Sequence, residues 1–122
     1  MKYFAEYKKI LDALPCGIVI YDDSPQGKEL YFNDAFFKII GYTREEYLKI
    51  KNRPFESYIY EEDRYIYHRN QKTIAKIGKV ENSEYRVVCK DKSLRWVQLN
   101  ISTIKLAKEH AYFASFVDIT KN

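Results

Sequence analysis

The chain has 122 residues, with 21 Lys and Arg against 17 Asp and Glu, a formal net charge of +4 and 46% hydrophobic residues. This length suits one compact domain, and the composition excludes a disordered or collagen-like chain. The basic residues are scattered without a block of five or six like charges, which argues against nucleic-acid binding. An aromatic share of 16% predicts a core built largely from Tyr and Phe.

Neither a membrane span nor a signal peptide is predicted. No apolar run approaches the roughly 20 residues that a spanning helix needs, and the N-terminal MKYFAEYKK is amphipathic. Cys16 and Cys89 form no CxxC pair and are too few for a disulfide scaffold. We therefore expect a cytoplasmic protein with no membrane contact by this segment.

The first third of the chain predicts a helix followed by a β-hairpin. Apolar residues recur every three or four positions up to Leu14, and Pro15 ends the pattern. Residues 18–21 and 29–32 read as strands, and the DSPQGK stretch between them is rich in turn formers. The helix makes residues 1–14 an N-terminal amphipathic cap, and residues 15–122 form the remaining domain.

Three helices are predicted next. Asn33 stands where an N-cap belongs before an apolar-periodic stretch at 35–40, and Gly41 can end that helix. Thr43 and Glu46 match a capping box that opens a second helix at 44–48. The longest helix is predicted at 61–77, with acidic residues in its first turn and Gly78 after its end.

From Val80 onward the period of apolar residues changes to two, which indicates strands. A turn at 90–93 separates the first of them from a strand at 94–106, and a last strand follows at 110–119. Strands in two runs with helices between them predict an α+β domain with an antiparallel sheet.

Several separated segments, taken together, resemble a PAS domain over residues 10 to 120. They are LPCGI at 14–18, YFNDAF at 31–36 with GYT at 41–43, EEDR at 61–64, EYR at 84–86, RWV at 95–97 and DIT at 118–120. One departure is KDK at 90–92, where many relatives carry Lys-Asp-Gly. The resemblance implies a PAS fold, with a five-stranded antiparallel sheet, helices covering one face and a small interior beneath them.

The resemblance also implies a function in bacterial signal transduction. Such a domain senses a small ligand in its interior, relays a conformational change to an output domain in the same chain, or does both. The output is typically a histidine kinase of a two-component system or a diguanylate cyclase, so we expect the chain to be part of a longer protein. The alternative is a ligand-free PAS module that serves only for dimerisation or scaffolding.

The cofactors of known PAS subclasses can be compared residue by residue. The flavin photoreceptor subclass carries an Asn-Cys-Arg motif that this chain lacks, and Phe116 occupies its flavin-binding Gln position. In haem-binding relatives the axial His falls near Asp63, and His68 is about five residues late. We therefore expect neither haem nor a LOV-type flavin adduct, and no metal; a non-covalent flavin or another small molecule stays open, because Trp96 and the tyrosines could stack on a ring.

No enzyme signature is present. The chain lacks a Gly-rich phosphate loop and a nucleophile elbow, and the acidic pairs suit helix first turns. No RNA-binding aromatic motif is present either. We predict no catalytic residues.

Alignment of the strands with relatives predicts the walls of an interior pocket. The candidates on strands face the helices, and three on the long helix cover them: Val19, Tyr21, Val97, Leu99, Ile101, Tyr112, Ala114, Phe116, Tyr67, Asn70 and Ile74. A ligand there would be small and largely apolar, oriented by a few polar groups. Alternatively, the same side chains simply fill the core.

The opposite face of the sheet predicts a homodimer. It carries Ile18, Ile20, Trp96, Gln98, Phe113, Ser115 and Val117, which is too apolar a set to leave in water. The N-terminal helix could cover part of it and pair with a second copy, so the predicted dimer interface is Phe4, Tyr7, Leu11 and Trp96. Asp118 and Thr120 are the predicted signal relay, because the chain leaves the domain there.

Overall fold

The computed structural model describes residues 4–22, 29–50, 53–106 and 109–121. The helices are α1 (Phe4–Ala13), α2 (Asp34–Ile40), α3 (Arg44–Lys49) and α4 (Arg64–Ile77), with 3-10 turns at Phe55–Tyr58 and Glu61–Asp63. The strands are β1 (Gly17–Asp22), β2 (Glu29–Phe32), β3 (Lys79–Val88), β4 (Leu94–Leu106) and β5 (Glu109–Asp118). The turn predicted between the first two strands lies outside the described residues.

The five strands form one antiparallel sheet in the order β2-β1-β5-β4-β3. The first and last strands of the chain are therefore neighbours at its centre. This confirms the predicted α+β class and five-stranded sheet.

Alternation along the strands separates a helix-facing side from an outer side. On β4, Val97, Leu99 and Ile101 are buried, whereas the intervening residues are not. The buried side joins an aromatic cluster from α2 and α3, in which Phe36 lies 4.8 Å from Phe32 between ring centroids. The predicted aromatic core is thus built where the helices meet the sheet.

Asn33 ties three elements together. Its Oδ1 accepts hydrogen bonds from the backbone N–H of Ile18 (2.7 Å) and of Phe36 (3.1 Å). Its Nδ2 donates to the carbonyl oxygens of Leu11 (2.7 Å) and Cys16 (3.0 Å). The predicted N-cap of α2 is confirmed, and the same buried amide also fixes the end of α1 and the start of β1.

The other predicted caps are present. Thr43 and Glu46 form the capping box of α3. Gly41 and Gly78 end α2 and α4 with φ of 77°, a left-handed conformation that glycine adopts without a steric cost.

The long helix differs from its prediction at its start. Residues 61–63 form a 3-10 turn, and α4 begins at Arg64. The side chain of Asp63 makes no cap hydrogen bond to α4, because it binds Arg86 on β3 instead. The 3-10 turn at Phe55–Tyr58 was not predicted.

The strand β3 is less regular than a plain alternation predicts. Its pairing with β4 shifts between Val80 and Ser83, and Asn82 takes a φ of 54°. The strand ends at Val88, so Cys89 lies in the turn, and β5 ends one residue before the predicted Ile119.

Candidate functional site: the interior and the exit of the last strand

The predicted pocket residues lie on the helix-facing side of the sheet and on α4. Most are buried members of the core, and Tyr21, Tyr67 and Tyr112 are half-buried against it. The buried members are Val19, Ile74, Val97, Leu99, Ile101, Ala114 and Phe116. Asn70 is also buried, on the sheet-facing side of α4. The faces predicted for β1, β4 and β5 agree with these positions.

Four tyrosines form a cluster in this interior: Tyr21, Tyr67, Tyr85 and Tyr112, called the tyrosine cluster below. Tyr21 and Tyr112 are paired across β1 and β5, with ring centroids 5.1 Å apart. Burial raises the pKa of Tyr21 and of Tyr85, and the nearby phenol of Tyr67 raises both further. These two phenols therefore keep their protons near neutral pH and can donate hydrogen bonds.

Tyr85 is absent from the predicted pocket, although it is 2% exposed and lies on the buried face of β3. Its signal in the sequence is the two-residue spacing to Val87 and Cys89. Ser83 is also absent from that set. The irregular pairing that precedes Ser83 made its direction hard to predict from alternation.

A surface groove of about 290 Å³ lies between α4 and the start of β3, called the α4–β3 groove below. Asn70 and Ser83 belong to its lining, and Asn70 Nδ2 donates to Ser83 Oγ at 2.9 Å. Both residues are buried. The groove thus reaches a buried polar pair. Asn70 lies one helical turn along α4 from Tyr67, and Ser83 lies two residues along β3 from Tyr85.

The predicted relay residues hold the chain as it leaves β5. Asp118 accepts hydrogen bonds from Arg95 Nη1 (3.0 Å) and from the backbone N–H of Thr120 (2.9 Å). Burial opposes ionisation of Asp118, but the hydrogen bonds from Thr120 and Arg95 outweigh it and hold its pKa below the usual range. Thr120 Oγ1 in turn accepts the backbone N–H of Trp96 at 2.9 Å. These hydrogen bonds therefore attach residues 118–120 to β4.

Arg86 connects this exit to the start of α4. Its side-chain nitrogens donate to both carboxylate oxygens of Asp63 at 2.8 Å, and its backbone N–H donates to the same group. Its guanidinium lies 4.5 Å from the ring centre of Tyr60 and 4.8 Å from that of Trp96. A continuous set of contacts therefore runs from Asp63 through Arg86 and Trp96 to Thr120.

The outer face of the sheet is covered unevenly. Of the residues predicted on this face, Ile18 is buried and four are half-buried: Ile20, Gln98, Phe113 and Ser115. Trp96 is 41% exposed and Val117 43%. On α1, Tyr7 is exposed and Leu11 is half-buried; the side chain of Phe4 lies outside what the structure describes. Apolar side chains on the sheet and on α1 thus remain open to solvent.

The residues do not fit the haem or covalent flavin sites of other subclasses. Asp63, at the position of the haem ligand, is engaged by Arg86, and His68 is exposed and bound to Glu56 at 2.9 Å. The thiol of Cys89 donates to the carbonyl oxygen of Ile39 at 3.2 Å, and burial raises its pKa. Cys16 precedes β1. Neither thiol is placed at the tyrosine cluster.

Two further findings concern the described part of the chain. No group of three or more His, Cys, Asp or Glu side chains is placed there to hold a metal ion. Its helices are all too short or too polar to cross a membrane.

Solved structures resemble this fold closely. The PAS domain of a protein from Colwellia psychrerythraea is 21% identical, with a TM-score of 0.77 and 98% of each chain covered. The LOV domain of the Erythrobacter litoralis EL346 blue-light activated histidine kinase is 22% identical, with a TM-score of 0.72, over 88% of this chain and 99% of that one. An RNA-binding light-oxygen-voltage receptor is 18% identical, with a TM-score of 0.77, over 95% of this chain and 33% of the receptor.

The sequence comparisons match a family model but no curated protein. A search of curated protein sequences found no match. A family model described as the PAS fold matches residues 29–115, which include β2, β3, β4, most of β5 and α2 to α4. Because this match covers most of the chain, the chain belongs to the PAS fold family.

Proposed function

We propose that this PAS domain senses a small molecule in its interior and relays the change to an output domain in the same protein. PAS domains are generally sensory rather than catalytic. A histidine kinase or diguanylate cyclase is the output we expect, and a cytoplasmic location follows from that assignment. One similar structure is a domain of a histidine kinase, which supports this choice.

The observation that carries the proposal is the polar lining of the interior. A core that serves only stability has little use for buried polar groups, since each must find a partner. Here Asn70 and Ser83 are buried next to a groove, and four tyrosines, one of them on α4, are buried or half-buried in the interior. Such a mixture of apolar walls and a few polar groups is typical of ligand sites.

The relay is proposed to run through β4 and β5. These strands carry Leu99, Ile101, Tyr112 and Phe116 in the interior, and their shared end holds Asp118 and Thr120. A ligand alters the output only if it binds the two states of these strands with different affinity.

We also propose a homodimer that buries exposed apolar side chains of the sheet and of α1. Trp96 and Val117 on the sheet and Tyr7 on α1 are the exposed apolar residues that support it. A symmetric pairing would place these side chains against those of the second copy.

One observation favours the alternative of a ligand-free dimerisation module. The predicted pocket residues on the sheet pack into a single buried cluster, with Val97 0% and Leu99 1% exposed. If the domain is such a ligand-free module, the four tyrosines only fill the core.

The first test is native mass spectrometry with an absorption spectrum of the purified protein. We expect dimers that carry additional mass, because the interior retains a ligand from the cell. A visible absorption band would show a bound chromophore such as a flavin or a haem, and a haem would correct the expectation stated above. Bare dimers, whose melting temperature no metabolite in a library raises, would contradict sensing and favour the dimerisation module.

A second test concerns the relay. We expect Asp118→Ala to abolish the response of the parent protein to its signal, because Thr120 and Arg95 both lose their acceptor, while the domain stays folded. The matched control is Asp91→Ala, since Asp91 accepts the same kind of hydrogen bond from the backbone N–H of Ser93 (2.9 Å) in the turn between β3 and β4. The output activity with and without signal is measured. A normal response of the Asp118 variant would show that the relay lies elsewhere.

A further inference from the structure

We propose that the α4–β3 groove binds a small molecule with a carboxamide at one end and a carboxylate at the other. This inference rests on the proposed function, because it names the class of ligand that Asn70, a predicted pocket residue, contacts. Such a ligand is more polar than the largely apolar one expected from the sequence. Its carboxamide lies on the buried polar pair of the groove, and its carboxylate lies at a row of basic residues on α4.

The floor of the groove contains a buried polar side chain with an unused acceptor. Asn70 is 4% exposed and Ser83 is 7% exposed, and both line the groove. Asn70 Nδ2 donates to Ser83 Oγ at 2.9 Å, but Asn70 Oδ1 accepts no hydrogen bond from any residue that the structure describes. Every fully buried side-chain nitrogen or oxygen in the described part of the chain has a partner, so this oxygen is accessible at the groove.

Asn70 and Ser83 together match a carboxamide. Asn70 Oδ1 can accept a hydrogen bond, and the Ser83 hydroxyl, which accepts from Asn70, can still donate its own proton. A primary carboxamide presents a donor and an acceptor side by side. The hydroxyl of Thr73 is already used, because it donates to the carbonyl oxygen of Arg69 at 3.0 Å. Two hydrogen bonds to the floor therefore orient the ligand, as a few polar groups do in most small-molecule sites.

Apolar side chains stand beside this floor. Ile77 is 61% exposed and Val80 is 6% exposed, and both line the groove. They suit a short methylene chain between the two polar ends of the ligand, since covering Ile77 removes apolar surface from water. The groove volume of about 290 Å³ is at the lower end of ligand-site volumes, about 300 to 1,000 Å³, so the ligand is small.

Basic residues follow the outer side of the groove along α4. The helix contains no Asp or Glu, and Arg69, Lys72 and Lys76 recur at spacings of three and four, so they share one face and are called the basic rim below. All three are exposed and make no ion pair with a described residue. Arg69 itself lines the groove. Like charges at these spacings destabilise a helix, so the basic rim does not serve the stability of α4.

Two features oppose an anion in the groove, and the basic rim outweighs both. Lys79 lines the groove as well, but Glu81 neutralises it at 3.4 Å. The C-terminal end of α4 adjoins the groove and carries about half a negative charge. Lys76, in the last turn, offsets this partial charge. Arg69 and Lys72 remain for the ligand, which favours one carboxylate rather than several.

Three five-carbon probes separate the two ends of the ligand: glutaramate, glutaramide and pentanoate. Glutaramate has the carboxamide and the carboxylate, glutaramide has two carboxamides without a charge, and pentanoate has the carboxylate alone. Binding to the isotope-labelled protein at pH 7 is followed through the amide resonances of α4 and β3. We expect glutaramate to bind about fivefold more tightly than either of the others, and high salt to reduce its advantage over glutaramide.

Changes of charge test the basic rim. Arg69→Gln should reduce the affinity for glutaramate to that for glutaramide, while the binding of glutaramide stays the same. Lys38→Gln is the matched control, because it removes the same charge from an exposed side chain of α2, a helix that packs on β1 rather than on β3. Glu81→Gln should act in the opposite direction, since it frees Lys79 and raises the affinity for glutaramate and pentanoate.

Ser83→Ala tests the floor. It removes one hydroxyl with little change of volume, so glutaramate should fall to the affinity of pentanoate while pentanoate is unaffected. The amide resonances of β4 and β5, which do not line the groove, check that the variant keeps its fold. If it does not, the three probes on the wild-type protein still decide whether the floor selects a carboxamide.

The outcomes separate this inference from the proposed function. If no probe shifts the resonances of α4 and β3, this inference is wrong, whereas additional mass on the purified protein would still support the proposed function. If additional mass is absent too, both proposals fall. If pentanoate binds as tightly as glutaramate, the floor does not select a carboxamide. If glutaramide binds as tightly, or if Arg69→Gln changes nothing, the basic rim does not bind a carboxylate. Either of these results overturns the inferred ligand class.

Discussion

Asn33→Ala is expected to lower the free energy of unfolding by about 4 kcal/mol, since each buried group left without a partner costs about 1 to 3 kcal/mol. This side chain bonds four backbone groups: the N–H groups of Ile18 and Phe36 and the carbonyls of Leu11 and Cys16. Two of them keep a backbone partner in the variant, because the Phe36 N–H also donates to the Asn33 carbonyl and the Leu11 carbonyl also accepts from the Leu14 N–H. Asn33 is 0% exposed, so water cannot easily replace the lost bonds. Urea unfolding followed by circular dichroism measures the change.

The matched control for this prediction is Asn100→Ala. Asn100 accepts a single bond, from the backbone N–H of Asn82 at 3.0 Å, in an exposed setting. Asn100→Ala should lower the free energy of unfolding by less than about 1 kcal/mol, the value for one ordinary hydrogen bond. If the Asn33 variant lost no more than the Asn100 variant, the linking role of Asn33 would be wrong.

Asp63→Asn is expected to have the second largest effect, a loss of about 2 kcal/mol at pH 7. The expected value is below the roughly 3 to 5 kcal/mol for breaking a fully buried pair, because the Arg86 side chain reaches solvent and can rehydrate. The variant retains one oxygen for the backbone N–H of Arg86 but loses the charge that binds the guanidinium.

The effect of Asp63→Asn should depend on pH in a defined direction. The hydrogen bonds from Arg86 lower the pKa of Asp63 in the folded protein. Its stabilisation is therefore complete above the unfolded pKa of about 3.9 and is lost as the pH falls towards the lower folded value. The difference between wild type and variant should be constant from pH 7 to 5 and shrink below pH 4.

Glu62→Gln is the control for this prediction. It is the same acid-to-amide change one residue earlier, on an exposed side chain 4.0 Å from Arg86. Trp96, the single Trp of the chain, reports on the site, because the guanidinium of Arg86 lies on its ring. Asp63→Asn should alter its fluorescence and Glu62→Gln should not. Equal effects of the two variants would show that Arg86 is held by general charge rather than by the buried pair.

Caps and strand limits were predictable because they depend on neighbouring residues. The Thr43–Glu46 capping box and the left-handed conformation of Gly78 need only a few consecutive residues, and both are present. Strand β4 runs over the predicted residues 94–106, because polar turn residues at 90–93 precede it. Its buried face was predictable for the same reason, since a strand in regular pairing alternates.

Alternation fails where the pairing is irregular. At β3 the pairing shifts between Val80 and Ser83, so the alternation that starts at Val80 does not place Ser83 in the interior. Tyr85 lies after the shift and keeps the two-residue spacing to Val87 and Cys89. The roles of the pocket candidates and of the dimer residues remain predictions.

The sequence by itself determined the elements, their order and the buried faces of the regular strands, because these follow from local conformational preference and the spacing of apolar residues. Only the tertiary structure decided the partners of the polar side chains. The acidic start of α4 suggested favourable charge at a helix N-terminus, yet Asp63 binds Arg86, 23 residues away. Asn33 likewise does more than cap α2, because it also holds Leu11 and Ile18. Such bonds depend on which chain segments the closed sheet brings together, and that information is not local.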